Sequence, residues 1–145
     1  REKRGLAYSI RSDIDRFADC GYFAVYAGVD PKNATETIKV ILNELYNLSA
    51  SGLKVGKKEL AKAKEYLKGH LALSLEDTRG VSGFFGYEEL MLGKVRTPGE
   101  VFEEINKIQV EDIYESARTI FKKEKIKLAI IGPYTKAEEF AKILK

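Results

Sequence analysis

A run of nine residues, Gly21–Val29 (GYFAVYAGV), constrains the fold of this chain more than any other segment. It is almost continuously apolar and aromatic, and it contains no charged residue. Such a run is typical of a β-strand that is covered on both faces or that lines a cleft. Residues 6–10 also have strand character, so the sequence predicts two neighbouring antiparallel strands joined by a polar, turn-like connection at 13–19.

Amphipathic helices are predicted for the middle of the chain, because apolar residues recur there at helical spacing. The predicted helices cover 35–50, 57 to near 76, 97–108 and 110–121, with a further helical piece at 87–91 and a last helix that begins near Thr135. Residues 77–86 are ambiguous. Two helix starts fit capping boxes, Asn33 with Glu36 and Thr97 with Glu100. A short buried strand is predicted at 127–132 (KLAIIG).

This order of elements predicts an α+β fold, in which helices pack on one face of a mainly antiparallel sheet. Three strands are few for six helical segments, so we expect that the sheet lacks its first strands in this chain. A length of 145 residues suffices for a real core, and no linker, internal repeat or low-complexity segment interrupts it. The sequence therefore predicts a single domain, 1–145.

Charge and cysteine content exclude several classes of function. The 25 basic and 22 acidic residues are interleaved, which argues against a nucleic-acid surface. No apolar run approaches the ~20 residues of a membrane helix, so no membrane partner is expected. The single cysteine, Cys20, cannot form an intramolecular disulfide and favours a reducing compartment, which we take to be the cytoplasm.

The chain has no motif of a complete enzyme. A zinc site needs about three side-chain ligands, whereas the chain has one histidine, His70, and no His-x-x-Glu-His motif or its inverse. No Gly-x-Ser-x-Gly elbow or phosphate-binding glycine loop occurs either. We interpret His70 as a partly buried helix residue and Cys20 as a small apolar residue near a turn, and we predict no metal site in this chain.

The opening REKRGLAY is the remaining candidate site. Its first four residues are predicted to be the last turn of a helix, which Gly5 closes in the left-handed conformation. Arg1 and Tyr8 can then converge across the Gly5 turn, where a guanidinium and a phenol would bind a peptide carbonyl and stabilise an oxyanion. The alternative is a solvated arginine and a half-buried strand tyrosine, and the spacing alone favours this alternative.

Several segments together resemble a known family. They are REKRGLAYSI, CGYFAVYAGVDP, KKELAKAKEYLKGHLALSLEDTRG, GYEELMLGKVRTPGEVFEEINKIQVEDI and KLAIIGP, in this order. They resemble the C-terminal half of insulinase-like zinc metallopeptidases, in particular the bacterial and mitochondrial-processing-peptidase-like members. The resemblance covers essentially the whole chain and is most specific at Arg1, Gly5 and Tyr8.

The resemblance implies that the chain is the C-terminal part of a two-half zinc endopeptidase. In this family two similar α+β halves close around a peptide, and the first half carries the inverted zinc motif with zinc. The residues that match Arg1 and Tyr8 contact the scissile peptide backbone, with Tyr8 stabilising the oxyanion. This segment would then form substrate-chamber wall and would be inactive alone.

The partners implied are a peptide substrate and the zinc-bearing half or subunit. A homodimer through an unpaired sheet edge is a further expectation. Two alternatives stay open. One is a non-catalytic scaffold or partner subunit of the same family without metal, and the other is a stand-alone small binding domain.

Overall fold

The computed structural model of the protein describes residues 5–49 and 55–144. These residues form a two-stranded antiparallel sheet and six α-helices, so the fold is a mostly helical α+β fold, in agreement with the predicted class. The described residues divide into two compact units, one built from 5–49 and 114–144 and the other from 55–113. The single-domain organisation stays a prediction.

A β-hairpin is the base of the first unit. Strand β1 (Ser9–Arg16) pairs antiparallel with β2 (Gly21–Gly28), and Arg11 lies opposite Tyr26. β2 lies within the predicted apolar run, but most of its residues are exposed and only 23–25 are half-buried, so the described residues do not cover both of its faces. The turn predicted over 13–19 is shorter in the structure, because β1 extends to Arg16 and the connection covers 17–20. Every residue of β1 is exposed, and polar side chains are therefore compatible with a strand there.

Helix α1 (Ala34–Ser49) supplies the apolar surface of the first unit. It follows a short 3-10 turn, whose start Asp30 caps by accepting a hydrogen bond from the amide of Lys32 at 2.9 Å. This cap replaces the predicted box of Asn33 and Glu36. The predicted apolar face is confirmed, because the inward residues of α1 are buried or half-buried, namely Ile38, Ile41, Leu42, Leu45 and Leu48.

The C-terminal part of the first unit differs from the prediction. Helix α5 (Val110–Ile120) is followed by Phe121, whose ring packs edge-on against Phe23 at 5.1 Å between centroids. Residues 127–132 do not form a strand in the described structure. A strand requires a paired neighbour, and the described residues provide none for this segment. The last helix, α6 (Glu138–Ala141), is short and buries Phe140.

The second unit contains three helices, α2 (Lys57–Ser74), α3 (Thr78–Leu92) and α4 (Pro98–Lys107). Helix α3 occupies most of the ambiguous stretch, since Asp77 accepts a hydrogen bond from the amide of Gly80 at 2.7 Å and begins a helix despite three glycines. The capping box at the start of α4 is confirmed.

The buried face of α2 differs from the predicted one. The sequence pattern placed Lys68 outside the apolar stripe and Leu67 within it. In the structure the Lys68 side chain is only 20% exposed, and its amine donates to the Asn106 side chain at 3.1 Å. The amine of Lys64 donates to the Asn106 carbonyl at 2.7 Å, near the C-terminus of α4. Leu67 is exposed. The lysine stems thus cover the neighbouring helix while their amines reach its polar end.

A buried ion pair connects helices of the second unit. Glu88 on α3 is buried, and both of its carboxylate oxygens accept hydrogen bonds from Arg96 at 2.6 Å. Arg96 also contacts Glu104 on α4. These bonds lower the pKa of Glu88 and outweigh the opposing effect of burial, while they raise the pKa of Arg96. Because Arg96 bonds to Glu88 on α3 and to Glu104 on α4, it ties these two helices together.

Candidate functional site

The segment from Gly5 to Tyr8 is held by its backbone. Gly5 has φ +61°, as predicted for a left-handed residue, and no atom of the described residues beyond its chain neighbour lies within 4 Å of where a Cβ would stand. Glycine is therefore favoured there by backbone conformation rather than by space. Ala7 is buried, and the amide of Tyr8 donates to the Gly28 carbonyl at 2.8 Å. The backbone is thus fixed where the chain enters β1.

A hydroxyl of α1 also approaches this segment. Thr37 is buried, and its Oγ1 lies 2.8 Å from the Asn33 carbonyl and 3.4 Å from the Leu6 carbonyl. A hydroxyl has one proton, so the shorter bond to Asn33 is the main one. The Leu6 carbonyl nevertheless lies against α1. This contact helps to fix the backbone from which the Tyr8 side chain projects.

The side chain of Tyr8 projects into solvent. It is 91% exposed, and no hydrogen bond or ring contact joins its side chain to another described residue. A fixed backbone and a free phenol make Tyr8 a donor that a second molecule can reach. Arg1 lies outside the described residues, so its convergence with Tyr8 stays a prediction.

The residues considered for metal or nucleophilic chemistry are dispersed. His70 is exposed on α2, and its ring packs against Tyr66 with 4.5 Å between centroids. Cys20 is exposed and free at the hairpin turn, where we had interpreted it as a small apolar residue. Within residues 5–49 and 55–144, no three histidine, cysteine or acidic side chains come together as a metal site would require. The described residues thus do not fit zinc.

A polar network on one face of the hairpin was missed by the sequence analysis. Arg11 donates to Asp13 at 3.0 Å, and its guanidinium lies 4.8 Å from the centre of the Tyr26 ring. Tyr22 hydrogen-bonds to Asp15, and this bond raises the pKa of Tyr22 to about 12. The alternation of side chains along β1 and β2 was the signal that would have placed these residues on one face.

An apolar groove of about 780 Å³ lies in the first unit. Its walls come from β2, from the apolar face of α1, from the end of α5 and from residues 125–129. Its lining includes the apolar side chains Phe23, Val25, Ile41, Leu45, Phe121 and Leu128. This groove is not predictable from local sequence patterns, because its walls come from segments about a hundred residues apart.

None of the helices described here combines the length and the hydropathy that crossing a membrane requires.

The family profile and the related proteins that match this chain agree on one family. The profile of a family described as "Peptidase M16 inactive domain" matches residues 1–67. A protein of Streptomyces coelicolor described as an uncharacterized zinc protease is 35% identical over 133 residues, which are 92% of this chain and 28% of that protein. The zinc protease YmxG of Bacillus subtilis, also described as uncharacterized, is 36% identical and is covered to 32% of its length.

Solved structures agree with these relatives. A chain of Complex III2 from Candida albicans, with Inz-5 bound, superimposes with a TM-score of 0.72 at 25% sequence identity, covering 81% of this chain and 28% of that chain. The present chain therefore spans less than a third of the length of these relatives. The segments that resembled insulinase-like peptidases thus mark a true relationship, and this chain belongs to the M16 peptidase family, in which it corresponds to the C-terminal half-domain.

Proposed function

We propose that this chain is the part of a zinc-dependent endopeptidase that forms substrate-chamber wall and presents Tyr8 to the peptide. One observation on Tyr8 carries the proposal. Its backbone is fixed, because its amide donates to the Gly28 carbonyl at 2.8 Å, while its side chain is 91% exposed. A donor that is fixed before the substrate arrives stabilises a developing charge at little cost in reorganisation. The relatives described as zinc proteases support the peptidase assignment.

The role proposed for Tyr8 is to donate its phenolic hydrogen to the oxygen of the scissile carbonyl as that oxygen becomes negative. Arg1 would bind the peptide backbone next to it through its guanidinium. Zinc would be held by residues outside this chain, in the other half or in a partner subunit, because the described residues do not gather a ligand set. By itself the chain would not cleave peptides.

The experiment is Tyr8→Phe in the full-length protein that carries this segment. Loss of one oxyanion donor lowers kcat by about 10²–10³-fold. We expect a loss of this size in peptide hydrolysis, with zinc content by elemental analysis unchanged. Tyr66→Phe is the matched control, because Tyr66 is also an exposed tyrosine, at 63%, but lies on α2. Turnover at the wild-type rate in Tyr8→Phe would remove the role proposed for Tyr8.

The second candidate function is a non-catalytic scaffold or partner subunit of the same family. Two observations favour it, namely the description of the matching family as an inactive domain and the place of the structural neighbour within Complex III2. The two candidates differ in a simple measurement on the full-length protein. A peptidase binds zinc and loses hydrolysis when a chelator removes it, whereas a scaffold shows neither property.

We also propose a cytoplasmic location, with a peptide as the substrate. The free, exposed thiol of Cys20 supports a reducing compartment. Fractionation of cells that express the full-length protein tests the location.

A further inference from the structure

Two successive residues, Tyr8 and Ser9, lie opposite the single residue Gly28. The amide of Tyr8 donates to the Gly28 carbonyl at 2.8 Å, while the strand register pairs Ser9 with the same glycine. Two residues of one strand against one residue of its partner form a β-bulge, which interrupts the alternation of side chains and re-aims one of them. A Cβ on Gly28 would stand 2.9 Å from the Ser9 hydroxyl oxygen, so glycine leaves room for the bulge.

The bulge turns the Tyr8 side chain to the face of the hairpin that Ser9 occupies. Because side chains alternate along β1, Arg11 lies on that face as well, opposite Tyr26. The other face carries Phe23, which lines the apolar groove beside α1. A side chain that is 91% exposed does not lie in that groove. Tyr8 and Arg11 therefore share the face of the hairpin that is turned away from α1.

The guanidinium of Arg11 is held in one orientation. Its Nε donates to Asp13 at 3.0 Å, and the group lies 4.8 Å from the centre of the Tyr26 ring. No hydrogen bond joins its two η nitrogens to another described residue, and the side chain is 72% exposed. These nitrogens form an open fork of donors. A fork that is already oriented binds an acceptor with a smaller loss of side-chain entropy.

The charges on this face favour a neutral acceptor for the fork. Asp13 and Asp15 follow Arg11 at alternate positions of β1, so the three side chains together carry one negative charge. A carboxylate brought to Arg11 would be repelled by both aspartates. A main-chain carbonyl accepts from the same N–H groups without this repulsion, and every peptide offers such carbonyls.

We propose that Arg11 binds a main-chain carbonyl of the peptide, two residues away from the carbonyl that Tyr8 contacts. The proposal rests on the role proposed for Tyr8. The residues opposite Tyr8 and Arg11 are Gly28 and Tyr26, two positions apart on β2, which is ~6.6 Å at ~3.3 Å per residue. Alternate carbonyls of an extended peptide point to the same side and have the same spacing. One peptide that runs along the hairpin therefore presents a carbonyl to each side chain.

The test is a binding scan on the full-length protein in the presence of a chelator, so that peptides are bound but not cleaved. The probes are overlapping fluorescein-labelled peptides that cover β-casein, and binding is followed by fluorescence anisotropy. In the peptide that binds most tightly, each main-chain carbonyl oxygen is replaced in turn by sulfur, which is a weaker acceptor. We expect Arg11→Gln to weaken binding of the unmodified peptide about tenfold, at the low end for a hydrogen bond to a charged group because Arg11 is exposed.

The sulfur scan locates the contact. One replacement should weaken binding to the wild type about tenfold and should have no further effect in Arg11→Gln, because both changes remove the same hydrogen bond. A position two residues away should lose its sensitivity in Tyr8→Phe instead. Arg16→Gln is the matched control, since Arg16 lies on the opposite face of β1, and it should leave the whole scan unchanged.

Four results would overturn the proposal. The first is wild-type affinity in Arg11→Gln. The second is a sulfur effect of equal size in the wild type and in Arg11→Gln at every position, since the two changes would then act on different contacts. The third is an affinity that follows the charge of one peptide side chain and loses this dependence in Arg11→Gln, which would assign Arg11 to a carboxylate. The fourth is a wild-type protein that binds none of the peptides, which would also remove the chamber role.

The two roles fail separately. A scan in which Arg11→Gln removes one sensitive position and Tyr8→Phe removes none would keep the contact of Arg11 and reject the role of Tyr8. Loss of hydrolysis in Tyr8→Phe beside wild-type binding in Arg11→Gln would do the reverse.

Discussion

The ion pair of Glu88 and Arg96 yields the sharpest test of the second unit. Glu88→Gln keeps the shape of the side chain but removes its charge. Removing one partner of a buried ion pair costs about 3–5 kcal/mol, whereas an exposed pair contributes about 0–1 kcal/mol. The side chains of Glu88 and Arg96 are 5% and 25% exposed, which places this pair between the two limits.

We therefore expect Glu88→Gln to lower the free energy of unfolding by about 2 kcal/mol, because the amide still accepts one hydrogen bond from Arg96. For a chain of this length that loss lowers Tm by about 4–8 °C. The assay is denaturant unfolding followed by circular dichroism, with thermal unfolding as a second measure. The matched control is Glu104→Gln, which removes a carboxylate from the same arginine.

The control should behave differently, because the Glu104 side chain is 53% exposed. Glu104→Gln should cost less than about 1 kcal/mol, as expected of a solvated ion pair. Equal losses for the two substitutions would refute the argument that burial sets the strength of this network.

The same pair predicts a pH dependence with a defined sign. The pKa of Glu88 is lowered in the folded protein. Its charge therefore stabilises the fold fully above the unfolded-state pKa, which is about 4.3, and this contribution is lost as pH falls through the lowered folded-state pKa. The difference in stability between the wild type and Glu88→Gln should be constant near pH 7 and should shrink in acid. A difference that grows in acid would contradict this assignment.

Two further predictions concern local contacts. Thr97→Ala removes the capping box of α4 and should cost about 1 kcal/mol in denaturant unfolding, whereas Thr119→Ala, at an exposed site within α5, should be neutral or stabilising. Asp15→Asn should lower the pKa of Tyr22 from about 12 in a spectrophotometric titration, since the hydrogen bond to Asp15 is the main cause of the increase. Asp13→Asn should leave that pKa near its wild-type value, and a pKa that Asp15→Asn does not change would exclude Asp15 as the cause.

Local features were predictable because their causes are local. The apolar run that forms β2, the apolar face of α1, the capping box at Thr97 and the left-handed Gly5 each depend on residues within one or two turns. The family resemblance was also readable, because its segments follow one another along the sequence. The position of Tyr8 at the start of a strand was also predictable from nearby residues. Its role in catalysis stays a proposal.

Features that need a distant partner were not predictable. The stripe of α2 was assigned by hydropathy, but Lys64 and Lys68 turn inward because Asn106, about forty residues later, accepts from their amines. Glu88 is buried with its charge paired to Arg96, which lies on the segment after α3. The strand predicted at 127–132 was wrong for the described structure, because a strand forms only beside another backbone and none pairs with this segment.

The sequence by itself determined most of the helical segments, the strand within the apolar run, the capping box at Thr97 and the family to which the chain belongs. Tertiary structure alone decided which faces are buried, which charges are paired and which strand edges stay open. The physical reason is the separation along the chain of the residues that interact. Helical hydrogen bonds and caps join residues a few positions apart, whereas burial, ion pairs and sheet ladders join segments whose separation along the chain carries no information about their meeting in space.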